Sequence, residues 1–338
     1  MRLIHKIRRS TGGRSFLSAH RTMGARGSIS TIALLSVWSL LFLGGCNSLF
    51  FQPDSYRYFK PEQFGLWHEE FRIPGPAGDE LHGWHLPARG VQKGTVIHFH
   101  GNGANITNHL YSVRWLPYSG YSVFMFDYRG YGESPGGPSR QGLIDDGAAL
   151  IEYVRSLPQG TPGRIIVYGQ SLGGAIAVAS LAQAGTKDIS GLVLEGAFHS
   201  YREVVRLILG RSWITWTFQY PVAYLLFNDD YRPLDYLPHI KDMSLLVVHG
   251  GKDRTVPIET GRKLYEGFPG EHKRFWEVPG ADHLGIFSPE NSPWREGLLE
   301  WMDEQVGPLN IPGYRWEPRR PRWSPPPPHP RGTMAPPD

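Results

Sequence analysis

The sequence predicts an α/β protein with a mostly parallel central sheet flanked by helices. Three observations predict it. Short, continuous apolar runs recur between residues 67 and 306, and runs of this length suit strands buried on both faces. Stretches with helical spacing separate them, and strand–helix alternation implies parallel strands joined by right-handed crossovers. Gly-rich or polar turns follow several of the runs, where ligands and catalytic groups sit in open α/β sheets.

In chain order, a basic segment comes first. Residues 1–45 hold seven of the 35 Lys and Arg residues and no acid. The apolar run 32–43 follows and ends in Leu43-Gly44-Gly45-Cys46. A run of about a dozen residues fits the core of a secretory signal and falls short of the ~20 needed to span a membrane. Cys46 is the one cysteine of the chain, so an intramolecular disulfide and a Cys-based zinc site are both excluded. Leu-Gly-Gly-Cys resembles the bacterial lipobox. That resemblance implies cleavage before Cys46 and a diacylglycerol on its thiol. Acyl chains then tether the protein at about 0.8 kcal/mol per buried CH₂. An ordinary signal peptide or an uncleaved anchor is the alternative, and Met1 or Met23 is the start. Asn47, standing where inner-membrane lipoproteins usually carry Asp, leans by the same resemblance toward a Gram-negative outer membrane, facing the periplasm.

The expected organisation is a lipoprotein signal peptide at 1–45, a linker at 46–66, an α/β domain at 67–306 and a tail at 307–338. Within the domain, two early runs at about 67–73 and 80–86 suit an antiparallel hairpin on the sheet edge. Strands are expected at 95–100, 121–126, 164–168, 191–194, 244–249 and 275–278. Helices are expected at about 106–116, 139–156, 172–184, 258–268 and 293–305. The stretch at about 198–240, inserted between two core strands and rich in aromatics, reads as a short lid. Its aromatics either line an acyl pocket or pack the lid onto the body, and the second reading is preferred for most of them. The tail carries eleven of the 29 prolines and five arginines. It cannot bury enough apolar surface to fold, and a partner for it is not identified by the sequence.

The turns carry the chemistry. Gly169-Gln170-Ser171-Leu172-Gly173 follows one strand and opens an Ala-rich helix. Small residues are needed on both sides of so sharp a turn, and the turn presents Ser171 as a nucleophile with the Leu172 N–H beside it. A second match, Gly132-Glu133-Ser134-Pro135-Gly136, serves as a control: Pro135 has no N–H to offer an oxyanion, so Ser134 reads as a loop residue. After the strand ending at His100, Gly101-Asn102-Gly103 places the Asn102 N–H as a second oxyanion donor. Asp253 lies just beyond the strand at 244–249 and reads as the triad acid. His283 lies on the loop after the last strand and reads as the general base. Glu195, at the end of its strand, is the chief rival to Asp253.

Five blocks now stand together: His98-Phe-His-Gly-Asn-Gly103, Asp127-Tyr-Arg-Gly-Tyr-Gly132, Gly169-Gln-Ser-Leu-Gly-Gly174, His249-Gly-Gly-Lys-Asp253 and Gly280-Ala-Asp-His283. Over residues 67–305 the chain resembles the Bem46-like and serine-aminopeptidase-like branch of the α/β-hydrolases; 198–240 departs from that pattern. The resemblance implies a hydrolase with Ser171, Asp253 and His283 as its triad. The expected activity is cleavage of a carboxylic ester or thioester of a small acyl substrate, at a membrane. A peptidase or amidase and a non-enzymatic envelope scaffold are the alternatives. Such chemistry needs no metal or organic cofactor. His82, His85, His98 and His100 alternate on strands without clustered carboxylates and read as structural rather than metal ligands. Asp127 reads as a brace for the loop 128–134.

Charge removes a further class. The net charge is +4, yet only two of the 31 acids lie outside residues 46–306, against twelve of the 35 bases. The middle is therefore mildly acidic, and a nucleic-acid partner, which needs a basic stripe, is not expected.

Overall fold

The computed structural model describes residues 50–75, 78–157 and 164–308. Its strands are β1 (Gln52–Pro53), β2 (Glu69–Pro74), β3 (Glu80–Leu86), β4 (Gly94–Phe99), β5 (Gly103–Ala104), β6 (Tyr121–Phe126), β7 (Ile165–Gln170), β8 (Ile189–Glu195), β9 (Ser244–Gly250) and β10 (Lys273–Val278). The helices are α1 (Ile106–Val113), α2 (Arg140–Ser156), α3 (Leu172–Ala184), α4 (Tyr201–Gly210), α5 (Gln219–Leu226), α6 (Pro233–Tyr236), α7 (Ile258–Gly267) and α8 (Pro293–Val306).

Eight strands form one sheet in the order β10-β9-β8-β7-β4-β6-β3-β2. From β10 to β6 every neighbouring pair is parallel. β3 joins β6 antiparallel, and β2 pairs with β3 as the edge hairpin. Every residue of β4, β6 and β7 is buried, as their unbroken apolar runs require. Side chains alternate across the sheet: Ile97 and Phe99 enter the core on one face, Val96 that on the other. α3 is apolar all round and buried from Leu172 to Leu181, the pattern of a helix enclosed by neighbours. It packs against α2 and lies over β7.

The linker expected at 46–66 needs correction. From Phe50 onward the chain belongs to the body: Phe51 and Leu66 are buried, β1 pairs with β5, and a 3₁₀ turn spans Pro61–Phe64. Phe50, Phe51, Phe59 and Phe64 give this stretch apolar surface that a free linker would leave in water. Cys46, the segment before it that is expected to be a signal peptide, and the tail after Pro308 lie outside the described residues. Among those described, no helix is long and apolar enough to cross a membrane.

The insertion at 198–240 contains α4, a 3₁₀ turn (Trp216–Phe218), α5, α6 and a second 3₁₀ turn (Leu237–Ile240). Packing onto the body accounts for fewer of its aromatics than expected. Phe198 and Tyr201 are buried, whereas Trp213, Trp216, Phe218, Tyr220 and Tyr224 are exposed.

Candidate active site

Ser171 sits between the end of β7 and the first residue of α3, at φ 52° and ψ −116°. This region is rarely occupied by anything but glycine. The turn closes because its flanks lack side chains. A Cβ on Gly169 would lie 2.5 Å from the Gly174 Cα, and one on Gly173 would lie 2.1 Å from the Phe99 carbonyl oxygen. The Ser171 N–H donates to the Glu195 carbonyl at 2.9 Å, which ties the turn to the neighbouring strand.

The structure brings Ser171, His283 and Asp253 together from three loops at one rim of the sheet. His283 Nε2 is 2.9 Å from Ser171 Oγ, and His283 Nδ1 is 2.8 Å from Asp253 Oδ2. The carboxylate can only accept, so Nδ1 carries the proton and Nε2 is free to take one from the hydroxyl. Asp253 Oδ1 accepts the N–H groups of Thr255 at 2.8 Å and Val256 at 2.7 Å. His249 Nε2 stands 3.3 Å from Asp253 Oδ2 and 2.9 Å from the Val256 carbonyl oxygen; both are acceptors, so this nitrogen also carries a proton. Burial pushes the Asp253 carboxyl upward. Hydrogen bonds from His249, His283 and the Val256 N–H outweigh it and hold the group well below the usual carboxylate range.

Ser171 and His283 open onto a pocket of about 650 Å³ that Asn102 and Leu172 also line. Leu172 is the first residue of α3, so its N–H has no acceptor one turn back. The Asn102 side chain is committed elsewhere: Nδ2 donates to the Phe50 carbonyl at 2.6 Å, and Oδ1 accepts the Tyr131 hydroxyl at 3.0 Å. This fixes the loop that carries the Asn102 backbone. Phe198, Val204, Val205, Ile208 and Phe227 form an apolar wall, and none of the described lining residues is acidic or basic apart from the two histidines His109 and His283.

Glu195 is placed differently from the triad acid it rivals in the sequence. Its Oε1 accepts the N–H groups of Gly285 at 3.1 Å and Ile286 at 3.0 Å. Its Oε2 accepts the Tyr168 hydroxyl and, at 2.7 Å, the Gln170 amide. It therefore fastens the loop just after His283 instead of touching the imidazole. An acid closing the apolar run Gly191–Leu194 is a visible signal of some task; its partners are not visible in the sequence. Asp282 accepts the Arg254 N–H at 3.1 Å. Ser134 donates to the Asp127 carbonyl at 2.6 Å, and Asp127 accepts the Ile106 N–H at 3.0 Å. Both are loop braces.

A group of histidines lies at the back of the pocket, with His98 and His100 buried and His109 half-buried in its lining. His98 Nε2 is 2.9 Å from Gln170 Oε1, His100 Nδ1 is 2.8 Å from the Gly101 carbonyl, and His109 Nε2 is 3.0 Å from the Gly103 carbonyl. Burial lowers all three, His98 to about 3. They are neutral donors: His100 and His109 hold the loop after β4, and His98 holds the Gln170 side chain at the end of β7. Among the described residues, no group of three or more His, Cys, Asp or Glu is arranged to hold a metal.

This sheet order, with its strand–turn–helix at the centre, is that of an α/β-hydrolase. The family model described as serine aminopeptidase, S33, matches residues 90–231. The chain is 31% identical over 268 residues to the uncharacterized protein YfhR of Escherichia coli, covering 78% of this chain and 89% of that one. It is 32% identical over 193 residues to protein bem46 of Schizosaccharomyces pombe, covering 56% and 61%. Among solved structures, the Pyrococcus furiosus esterase Pf2001 matches with a TM-score of 0.62 at 21% identity, over 76% of this chain and 99% of that one; this likeness is one of fold. The chain belongs to the α/β-hydrolase superfamily, in its Bem46-like branch, and is an enzyme of the hydrolase class.

Proposed function

We propose that the protein is a serine hydrolase that cleaves a carboxylic ester or thioester through an acyl-enzyme on Ser171. One observation carries this reading: the continuous relay from Ser171 Oγ through His283 to Asp253, at 2.9 and 2.8 Å. Ser171 Oγ attacks the acyl carbon as His283 Nε2 takes its proton. The oxyanion forms between the N–H groups of Leu172 and Asn102, each worth about 3–4 kcal/mol in the transition state. His283 then protonates the departing alkoxide or thiolate. Water, deprotonated by the same imidazole, releases the acid. Asp253 holds the imidazole tautomer and stabilises the imidazolium. In this reading the enzyme is lipid-anchored through Cys46 in a bacterial envelope.

The matched family model favours a second reading, a peptidase of the serine aminopeptidase type. The pocket weighs against it. A peptide's free ammonium group needs a carboxylate partner, and the described lining residues supply none. The apolar wall suits an acyl chain. The test is a panel of p-nitrophenyl esters of graded chain length, acyl thioesters and aminoacyl amides, with fluorophosphonate labelling. Esters or thioesters should turn over fastest and Ser171 should carry the label. Faster amide hydrolysis selects the peptidase, and an unlabelled Ser171 removes both.

A further inference from the structure

Between Leu207 and Phe227 the lid holds a single charged residue, Arg211. In the same stretch Trp213 is 88% exposed, Trp216 and Phe218 are 59% exposed, and Ile214, Tyr220, Tyr224 and Leu225 are exposed too. Scattered exposed apolar residues are ordinary, but a concentration of this kind marks a surface that meets something apolar. Two further observations say what covers it. Ile208 is exposed and also lines the Ser171 pocket, so the apolar surface runs up to the pocket mouth. Phe50, where the described chain begins, lines the same pocket and packs edge-on against Tyr201 of α4 at 5.5 Å. Cys46 lies four residues earlier, and four residues span at most about 14 Å. Phe50, and with it the start of the described residues, therefore lies at the lid.

We infer that the Trp213–Leu225 face of the lid seats in the surface of a phospholipid bilayer, turning the mouth of the Ser171 pocket toward the lipid. Tryptophan and tyrosine favour the bilayer interface because their rings are apolar with one polar edge. The cations nearest the face are already engaged. Arg211 donates to the Asp253 carbonyl at 2.9 Å, and Arg206 pairs with Glu203 at 2.9 Å. The attachment is thus apolar and not a matter of anionic headgroups. An acyl substrate then reaches Ser171 from the membrane side without crossing water.

The inference is independent of the chemistry at Ser171, and it takes from the anchor at Cys46 only its closeness in sequence to Phe50. The test uses the full chain on vesicles of phosphatidylethanolamine and phosphatidylglycerol, with and without bromine-tailed phospholipid. Bromine should quench the tryptophan fluorescence of the native chain equally at low and high salt. In Trp213→Ser/Trp216→Ser that quenching should fall at least about tenfold, with the thermal midpoint and turnover of a short soluble ester unchanged. Tryptophans that stay unquenched while the protein is vesicle-bound overturn the proposal. So does a self-association in lipid-free solution that the double variant abolishes, since the face would then meet a second copy. Cys46→Ser reads the anchor separately: its release from vesicles reports on the lipid at Cys46, and quenching in whatever remains bound reports on the lid.

Discussion

Replacing Ser171 by glycine should make the protein more stable than replacing it by alanine. At an ordinary position the order is the reverse, because glycine costs about 0.5–1 kcal/mol relative to alanine through the freedom of the unfolded chain. Ser171 is not ordinary. At φ 52° and ψ −116° a residue with a Cβ stores about 1–3 kcal/mol of backbone strain. Both substitutions delete the hydroxyl and its 2.9 Å contact with His283, so that loss cancels in the comparison. Strain relief less the entropic cost leaves glycine ahead by roughly 1 kcal/mol. For a domain of this size that is a thermal midpoint about 2–4 °C higher. Calorimetry or urea midpoints on the two variants give the answer directly, and both should lose ester turnover and fluorophosphonate labelling. An alanine variant as stable as the glycine variant, or more so, would show that the turn holds no strain.

Three further outcomes follow from the same geometry. Asp253→Asn should leave the fold in place and lower turnover by about 10⁴, read in steady-state kinetics, because the imidazole loses the acceptor that sets its tautomer. Glu195→Gln should lower both the thermal midpoint and turnover: an amide cannot accept from all four of its donors, and each buried donor left unpaired costs about 1–3 kcal/mol. Retention of both values would show that the loop after His283 needs no such brace. The protein should also be acid-labile. His98 and His199 are held at about 3 and about 4, and His100 and His109 are lowered too, by burial first in every case. Their folded values lie below the unfolded value near 6.5, so their contribution is complete above about pH 6.5. As pH falls from there, His98 and His199 each remove about 1.4 kcal/mol per pH unit, and His100 and His109 act in the same direction. Asp253 acts in the same direction only below about pH 4. Urea midpoints measured from pH 7.5 to pH 5 should drop steeply, and a flat profile refutes the neutral assignment.

The elements legible in the sequence are those whose physics is local. β4, β6, β7 and β9 are apolar runs buried at nearly every position, and they stand within a residue or two of where the pattern puts them. The turn at Ser171 is legible because everything it needs, a strand end, small flanks and a hydroxyl, is written in neighbouring residues. What escapes the sequence depends on residues distant in the chain. The stretch from Phe50 looks like a linker because its strand partner, Gly103–Ala104, lies some fifty residues on. Glu195 and Asp253 cannot be separated by spacing, since one closes a strand and the other stands just beyond the end of one. The distinction lies in where Gly285, Ile286 and His283 come to rest. The lid aromatics mislead for a different reason. Composition says that aromatic surface will be covered, but not whether by this chain.

One feature of Glu195 reaches beyond the site. The loop bearing the imidazole leaves β10, the outermost strand on its side of the sheet, and outermost strands fray before inner ones do. Two backbone amides of that loop are nevertheless gripped by a side chain rooted on β8, next to the strand that delivers the serine. Base and nucleophile are thus referenced to adjoining timbers of the frame, so loosening the rim should leave their alignment intact until the interior itself gives way.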